Sequence, residues 1–459
     1  MSNETISNKP AGRVLDLTSG SITGTMLRFA LPMIAGNLLQ QLYNVADTLI
    51  VGRFLGSVAL AAVGSSYTLM TFLTSILLGL SMGSGVAVSI AFGQKDWDRL
   101  KQGVFLSFSG IGLAAAALSS LSFLGIDGIM RLLQVPEEIY GLMRRYLLVI
   151  FAGIGGTFLY NYLACLLRAI GNSVTPLIFL GISSVLNVVL DLVFVLSAGW
   201  GVAGAAFATV IAQWLSGIGL LFYTVRKAPE LLPARRHMKW NREEAAGISR
   251  LSMITSVQQS IMNFGILMVQ GRVNSFGPAV MAAFAAAVKI DSFAYMPVQD
   301  FGNAFSTFIA QNYGAGKESR IRQGILSAVR TSMLFGAAVS VVIWIFAEPL
   351  MRIFVNGQER EILAIGVEYL RIEGAFYCLI GLLFLLYGFF RAIEKPGMSV
   401  VLTVISLGLR VVLAYSLSAI PSLGVKGIWV SIPIGWLIAD VAGVIPMARF
   451  YKKMEVEEG

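Results

Sequence analysis

The chain repeats itself about half-way along its length. The segment GQKDWDRLKQGV at residues 93–104 returns as GAGKESRIRQGI at residues 314–325, and RAIGN at 168–172 returns as RAIEK at 391–395. The two copies lie about 221 to 223 positions apart, and apolar runs surround all of them. A membrane protein built twice from one unit is typical of transporters, in which two similar halves rock against each other around a central site.

Long apolar runs recur along the whole chain. Of 459 residues, 56% are hydrophobic and 13% are charged, about half the charged fraction usual in soluble domains. A membrane-spanning helix needs about 20 apolar residues. The sequence therefore predicts an all-α membrane protein of roughly twelve spans in two six-helix bundles. The predicted spans are 25–51, 57–92, 103–125, 142–167, 174–198, 202–225, 249–276, 280–313, 324–351, 363–390, 398–420 and 427–450.

The composition excludes several classes of chemistry. His237 is the only histidine, so histidine-rich metal sites and Ser-His-Asp catalysis are absent. Cys165 and Cys378 both fall in apolar spans and indicate packing residues without a disulfide framework. The one Gly-Lys pair, at 316–317, lacks the upstream glycine of a phosphate-binding loop. We expect no cofactor, no direct use of ATP and no enzymatic activity.

Basic residues are concentrated in alternate connections. Most of the 34 Lys and Arg lie in the N-terminal segment, the even-numbered connections and the C-terminus. By the positive-inside rule this predicts a plasma-membrane protein with both termini cytoplasmic, so the net charge of +9 reflects topology rather than nucleic-acid binding. The N-terminus shows no cleavable signal-peptide pattern. The predicted division is a terminal segment 1–24, bundles 25–225 and 249–451 joined by a linker 226–248, and a tail 452–459.

The repeated loop motif shares four residues between its copies. These pairs are Gly93/Gly314, Arg99/Arg320, Gln102/Gln323 and Gly103/Gly324. The simplest interpretation is that the glycines terminate helices and the basic residues anchor the loops at the membrane surface.

Two acidic residues stand within spans of the first half. Asp47 follows Tyr43 by one helical turn, and Asp191 follows Asn187 by four residues. Residues four apart share a helix face, so each span offers a carboxylate with an oxygen-bearing neighbour. An ionised group at the membrane centre costs roughly 2.5–3.5 kcal/mol or more, so such residues usually face a bundle interior or a wet cavity.

The second half lacks both carboxylates. Aligning the repeats places Ile266 opposite Asp47 and Met262 opposite Tyr43. Arg410 replaces Asn187, and Ala414 replaces Asp191. A purely structural pair is expected in both copies, whereas a cation site needs to exist only once. The sequence therefore predicts one cation site, in the first half.

The second half has intramembrane charges of its own. Lys289 and Asp291 are two apart and do not share the face of a regular helix. They either pair with other helices, reach the membrane surface or line a substrate cavity. We predict a substrate-binding role for Lys289, Asp291, Arg410 and Met262. The sequence assigns no role to Glu373 or Asp440.

The paired halves, the YNVAD segment at 43–47 and the LNVVLD segment at 186–191 resemble the multidrug and toxic compound extrusion (MATE) family over essentially the full chain. Family positions match this chain at Asp47, Tyr43, Asn187, Asp191, Thr209 and Asn161. The seventh-span Glu of another branch is missing, since SVQQSIMNF at 256–264 has none. The resemblance implies a V-shaped drug/H⁺ or drug/Na⁺ antiporter with a cation site built from these six residues.

Two neighbouring carboxylates repel when both are ionised, so such a pair can hold a proton. Together with the neutral oxygens of Asn187, Thr209 and Tyr43, the carboxylates of Asp47 and Asp191 can instead coordinate Na⁺, a hard cation suited to oxygen donors. The coupling ion is therefore H⁺, Na⁺ or both. We expect a monomer that contacts membrane lipids and small organic substrates.

Three alternatives stay open at this point. A flippase of lipid-linked precursors would have a more basic central cavity, and the intramembrane basic residues Arg410 and Lys289 are consistent with this alternative. An intramembrane lipid-modifying enzyme would favour clustered acidic motifs such as D-D-x-x-D, which are absent. A channel is disfavoured by the paired halves and the acidic cluster.

Overall fold

The computed structural model describes residues 14–355 and 359–458, with side chains except at 57, 264, 266, 267 and 453–458. Residues 1–13 and 459 of the two predicted terminal segments, and the side chain of Ile266, therefore lie outside the described part. The described residues form helices joined by short connections and contain no β-strand, which confirms the predicted all-α class.

The helices follow one another in a regular succession. They are α1 (Ile22–Gly56), α2 (Val58–Gln94), α3 (Trp97–Leu132), α4 (Glu137–Ala152), α5 (Ile154–Ala169), α6 (Val174–Asp191), α7 (Gly201–Lys227), α8 (Arg242–Asn274), α9 (Pro278–Gly314), α10 (Glu318–Met351), α11 (Arg360–Gly374), α12 (Tyr377–Ala392), α13 (Pro396–Ser418) and α14 (Val425–Glu458). A π-helical turn, Leu192–Ser197, continues α6, and two short 3₁₀ turns lie in the linker. Each predicted span lies on one of these helices or on a consecutive pair.

Within the described residues, nine helices are long and apolar enough to cross a membrane, or eleven when each sharply bent pair counts as one span. The helix that does not meet this criterion is α8, on the seventh predicted span. It begins with the charged run REEAAGISR. The count of twelve spans therefore stays a prediction.

The repeat is visible in the backbone. In the first half, α4 and α5 meet at a bend of 45°, and in the second half α11 and α12 meet at a bend of 53°. The break falls at Gly153 in one copy and at 375–376 in the other, about 222 positions apart. The break between α1 and α2 depends on Gly56, whose φ of 85° lies in the left-handed region that side chains disfavour.

The repeated glycines bring the two halves into contact. A Cβ at Gly93 would collide with the carbonyl oxygen of Gln311, and one at Gly314 with that of Ile90. These contacts are reciprocal, since each glycine meets a carbonyl three residues before the other glycine. Gln311 also donates to the Ala169 carbonyl at 2.7 Å. Gly93 and Gly314 lie at the ends of α2 and α9 as predicted, and they also allow these two helices to cross closely. The prediction is wrong for Gly103 and Gly324, which lie inside α3 and α10.

The repeated arginines hold the segments that precede each half. Arg99, in the first half, pairs with Glu244 at the start of α8. Arg320, in the second half, donates to the carbonyls of Leu17, Ser19 and Gly20 at 3.2, 2.6 and 2.8 Å. The predicted interpretation as surface anchors is therefore incomplete, because each arginine also binds the segment that precedes the other half. We call these two sets of contacts the arginine clasps.

Contacts between the halves are concentrated toward one end. We call the end that carries residues 14–21, the linker and the loops after α2 and α9 the terminal end. Apart from the clasps, hydrogen bonds between the halves in the described residues include Thr23 to Ser327 near the terminal end. Others join Asn37 to Asp300 and Ser256 to the Ile76 carbonyl, about mid-way along the helices. The halves are therefore fastened from the middle to the terminal end.

Candidate functional site

Two carboxyl groups face each other inside the first half. Asp47 lies on α1 and Asp191 at the end of α6, and their carboxyl groups are within hydrogen-bonding reach of each other. Asp191 is fully buried, and within the described part of the chain neither of its oxygens has a hydrogen-bond donor, nor has Oδ1 of Asp47. Two ionised carboxylates can only accept, so this contact becomes a hydrogen bond only when one of them holds a proton. A cation between the two groups would satisfy the same oxygens.

The local structure of α6 explains how Asp191 is presented. Asn187 and Asp191 are 2% and 0% exposed, which confirms that the four-residue spacing places them on one buried face. Immediately after Asp191 the chain passes into the π-helical turn Leu192–Ser197. Such turns are rare and often occur at functional sites, since they change the direction in which neighbouring side chains project.

Neutral oxygens stand beside the carboxyl pair. The Asn187 amide nitrogen donates to the Thr209 hydroxyl at 3.4 Å. The Asn187 amide oxygen is buried and has no hydrogen-bond partner among the described residues. Tyr43 lies close enough to Asp47 for the two to interact electrostatically. The unpartnered oxygens of Asp47, Asn187 and Asp191 are hard donors, so this set fits Na⁺ as well as a proton.

Asn161 belongs to a different polar chain. Its amide donates to the Thr157 carbonyl at 2.8 Å within α5, and the Thr157 hydroxyl donates to Gln213 on α7 at 2.9 Å. Among the described residues no recorded contact joins Asn161 to either carboxyl group. Its assignment to the cation site therefore stays a prediction.

Sequence reasoning missed Tyr146 on α4. This side chain is 4% exposed and interacts electrostatically with Asp47, Asp191 and Tyr43. No acidic or amide residue stands one turn away from it in the sequence, so no spacing pattern singled it out. Its hydroxyl provides a further donor or acceptor beside the carboxyl pair.

Among the described residues, two of the four predicted substrate residues of the second half lie beside each other. Asp291 is buried, accepts from the Tyr377 hydroxyl at 2.7 Å and interacts electrostatically with Arg410. Lys289 is exposed, so it and Asp291 do lie on different faces of α9, as predicted. Met262 is partly buried against the main apolar core. The structure thus brings Asp291 and Arg410 together and places Lys289 apart.

An apolar cleft opens between the halves. It has a volume of about 770 Å³ and is lined by α2 of the first half and by α8 and α13 of the second. Phe72 and Ile76 come from α2, Ile261 and Met268 from α8, and Leu407 from α13. Met262 is not part of this lining, although its neighbour Ile261 is.

A protein-family model described as MatE matches residues 32–193 and 252–416, one match in each half of the chain. The chain belongs to the MATE family. The similarity to curated relatives extends over nearly the whole MATE chain. This chain is 32% identical to the probable multidrug resistance protein YpnP of Bacillus subtilis (strain 168), and the alignment covers 94% of this chain and 96% of the relative. A second relative, the probable multidrug resistance protein YoeA of the same organism, is 29% identical over 91% of this chain and 92% of its own.

Solved structures agree with the MATE fold. One described as the outward-facing conformation of a multidrug resistance MATE family transporter of the MOP superfamily superimposes with a TM-score of 0.91. It covers 97% of this chain and 99% of its own, at 23% sequence identity, so the likeness concerns the fold. The family match and the relatives named as multidrug resistance proteins show that this MATE chain is a multi-pass integral membrane transporter rather than an enzyme, so the lipid-modifying alternative is excluded.

Proposed function

We propose that this protein exports lipophilic, often cationic organic compounds in exchange for H⁺, Na⁺ or both. The observation that carries the proposal is the Asp47–Asp191 pair, whose buried oxygens have no donor in the described structure. Relatives named as probable multidrug resistance proteins support small organic molecules as the exported class. The apolar cleft between the halves is suited to lipophilic ligands.

The carboxyl pair supplies a reason for coupling. A bound proton or Na⁺ removes the repulsion between Asp47 and Asp191 and draws α1 towards α6. Without a cation, the charged pair favours a conformation in which α1 moves away or water enters. Export requires the cation to prefer one conformation and the substrate the other, because a ligand shifts an equilibrium only by its differential affinity.

The orientation follows from the charge pattern. With both termini in the cytoplasm of a plasma-membrane protein, the terminal end is the cytoplasmic end. The contacts that fasten the halves there then correspond to a state closed towards the cytoplasm and open outward. Cysteine labelling at Ala234, an exposed linker residue, tests this in a variant without native cysteines. Efficient labelling of intact cells by an impermeant reagent would overturn the orientation.

The decisive test of function is transport in proteoliposomes. Accumulation of a fluorescent organic cation is measured under a pH gradient, a Na⁺ gradient and neither, with protein-free liposomes as the background. We expect transport only under at least one gradient. Equal transport without any gradient contradicts coupling. Movement of a lipid-linked precursor but of no organic cation supports the flippase alternative instead.

The test needs a matched carboxylate control. Asp127 on α3 is a half-exposed residue paired with Arg144 at 2.8 Å, far in sequence from the site. Asp127→Asn removes a negative charge from the protein without touching the carboxyl pair. It should transport like the unaltered chain, so that losses in the site variants are attributable to their position.

A further inference from the structure

The apolar cleft between the halves is about as long as one leaflet of a membrane. Its lining residues on α8 run from Ser256 to Met268, which corresponds to about 18 Å along the helix at a rise of 1.5 Å per residue. The hydrocarbon core of a bilayer is about 30 Å thick, so one leaflet accounts for about 15 Å of it. The cleft therefore has the length of one extended lipid chain.

The cleft is open on a side that suits lipid rather than water. Met268, Val404 and Val412 line it and are 55%, 51% and 62% exposed. Exposed apolar side chains on membrane-spanning helices are favourable against lipid and unfavourable against water. Apart from Ser256 and Ser260 the lining is apolar, and the Ser256 hydroxyl already donates to a backbone carbonyl of α2 at 3.0 Å. The lining therefore fits a hydrocarbon chain.

A glycine on α13 keeps the cleft open. Gly408 lies in the lining, and in the described structure no atom beyond the neighbouring backbone of its own helix lies within 4 Å of a Cβ placed on it. A larger side chain at this position would enter the cleft without a collision at its first atom. Substitution of Gly408 is therefore a way to fill the cleft while keeping the helix.

A basic residue lies at the end of the cleft that is away from the terminal end. Arg272 follows Met268 by four residues on α8, and Tyr415 follows Val411 by four residues on α13, so both lie one turn beyond the lining. The Arg272 guanidinium carbon lies 5.6 Å from the Tyr415 ring centre. Arg272 is two residues from the end of α8 at Asn274, which places it at the depth of lipid headgroups.

The charge of Arg272 is not balanced by an acid of the described residues. Its Nε donates to the Ser418 hydroxyl at 2.7 Å and its Nη1 to the Ser275 hydroxyl at 3.3 Å. No carboxylate lies within ion-pair distance of it in the described part of the chain. The hydroxyls and the ring fix the orientation of the guanidinium, whose planar donors match phosphate oxygens. A phosphate would therefore supply the missing negative charge.

The first half lacks this arrangement. Arg53 is the counterpart of Arg272, since each follows a glycine at the end of a matching span. At the spacing of the RAI motifs, Tyr415 and Ser418 correspond to Leu192 and Val195, which carry no hydroxyl. The arginine belongs to the shared scaffold, whereas the groups that orient it occur only in the second half. Arg53 is therefore the matched control for Arg272.

We propose that the cleft is a phospholipid-binding site, in which one acyl chain lies between α2, α8 and α13 and the lipid phosphate binds Arg272. The lipid comes from the leaflet away from the terminal end, which is the outer leaflet in the orientation proposed above. The inference goes beyond the export of organic compounds, because the lipid is a resident ligand that contacts both halves. A lipophilic substrate entering the same cleft has to displace its chain.

The test is photocrosslinking of the purified full-length protein in a maltoside detergent, without substrate or ion gradient. One probe is phosphatidylglycerol with a diazirine in one acyl chain, and the other is the diacylglycerol with the same chains and no phosphate. Crosslinked residues are mapped by peptide mass spectrometry at increasing probe concentration. We expect saturable crosslinking of the phospholipid to the cleft residues of α8 and α13.

Two variants separate the chain site from the phosphate site. Gly408→Leu should lower crosslinking of both probes in the cleft about tenfold, because the added side chain fills it. Arg272→Gln should weaken the apparent affinity for the phospholipid about tenfold and leave the diacylglycerol unchanged, because only the former has a charged partner for the guanidinium. Arg53→Gln and Gly110→Leu, the latter also free of side-chain collisions but on α3, should leave both probes unchanged.

The outcomes are independent of the proposed transport function, since no gradient is applied. Crosslinks distributed evenly over the membrane-facing helices, with no saturable site in the cleft, would overturn the proposal. So would an unchanged phospholipid affinity in Arg272→Gln, or an equal loss for both probes in that variant. Thermal unfolding of each variant shows whether the fold is kept. If Gly408→Leu does not fold, the crosslink map and Arg272→Gln still decide.

Discussion

The two halves have a similar arrangement of helices, but their paired acidic residues lie on different helices. In the first half the pair of acids, buried Asp191 and half-buried Asp47, lies on α6 and α1. The residues aligned with them in the second half are Ala414 and Ile266. In the second half the buried pair, Asp291 and Glu373, lies on α9 and α11. The intervals between the repeated motifs place Met70 and Ile150 opposite that pair, and both of these pack in an apolar cluster of the first half.

The pairs also differ in how their charge is balanced. No basic side chain is recorded among the interactions of Asp47 and Asp191 in the described residues. Asp291 and Glu373 have Arg410 beside them. The negative charge of the first pair can therefore be balanced only by an exchangeable cation, whereas the charge of the second pair is already balanced in part by Arg410. The repeat thus provides symmetric helices for movement, and the differences between its copies decide where an ion is taken up.

The largest expected effect concerns the first-half pair. Asp47→Asn and Asp191→Asn should each reduce gradient-driven export to the background of protein-free liposomes, because an amide cannot exchange a proton and removes a charged ligand for Na⁺. Asp291→Asn should reduce export only partly, since Arg410 can then pair with Glu373. Initial rates at matched protein amounts measure this, with Asp127→Asn as control. Unaltered rates in both first-half variants would contradict the assignment.

The second effect tests the symmetry of the scaffold. Gly93→Ala and Gly314→Ala each introduce a methyl group against a backbone carbonyl of the other half, so each should cost about 1–3 kcal/mol. The two losses should be similar because the contacts are reciprocal. Thermal unfolding in detergent measures them. Gly64→Ala is the control on α2, since in the described structure no atom beyond the neighbouring backbone of its own helix lies within 4 Å of the added Cβ. A loss of stability in only one of the two variants would show that the halves do not pack symmetrically.

The sequence predicted the scaffold better than the sites. The repeat and the long apolar runs identified the helices, and the spacing of Asn187 and Asp191 placed both on one buried face. Tyr146 escaped prediction because a lone tyrosine in an apolar span has no pattern of its own. Glu373 escaped because its burial depends on the bend between α11 and α12, which brings it against α9 and α13. Contacts of this kind arise only when distant helices pack.

A smaller effect concerns Na⁺ selectivity at the first-half pair. Asn187→Ala removes a buried amide oxygen beside the carboxylates, so it should weaken apparent Na⁺ affinity about tenfold, or about 1.4 kcal/mol. Dependence on a pH gradient should change less, because a proton needs fewer donors. In the unaltered chain, raising the pH should tighten Na⁺ binding as the carboxylates lose their protons. Calorimetry that detects no Na⁺ binding at any pH, with export driven by ΔpH alone, would rule out Na⁺.

The smallest effect distinguishes the two arginine clasps. Arg320 satisfies three backbone carbonyls of residues 17–20, whereas Arg99 pairs with a partly exposed carboxylate and with Gln94. Hydrogen bonds from a charged donor to such carbonyls contribute about 1.5–3 kcal/mol, and a solvent-exposed ion pair contributes less than about 1 kcal/mol. Arg320→Gln should therefore accelerate amide hydrogen exchange at residues 15–20 more than Arg99→Gln accelerates it at residues 239–244. Equal acceleration would mean that the clasps are equivalent despite their different partners. If the ranking holds, the segment before the first half is the more firmly held of the two, and its release is the larger barrier to opening the terminal end.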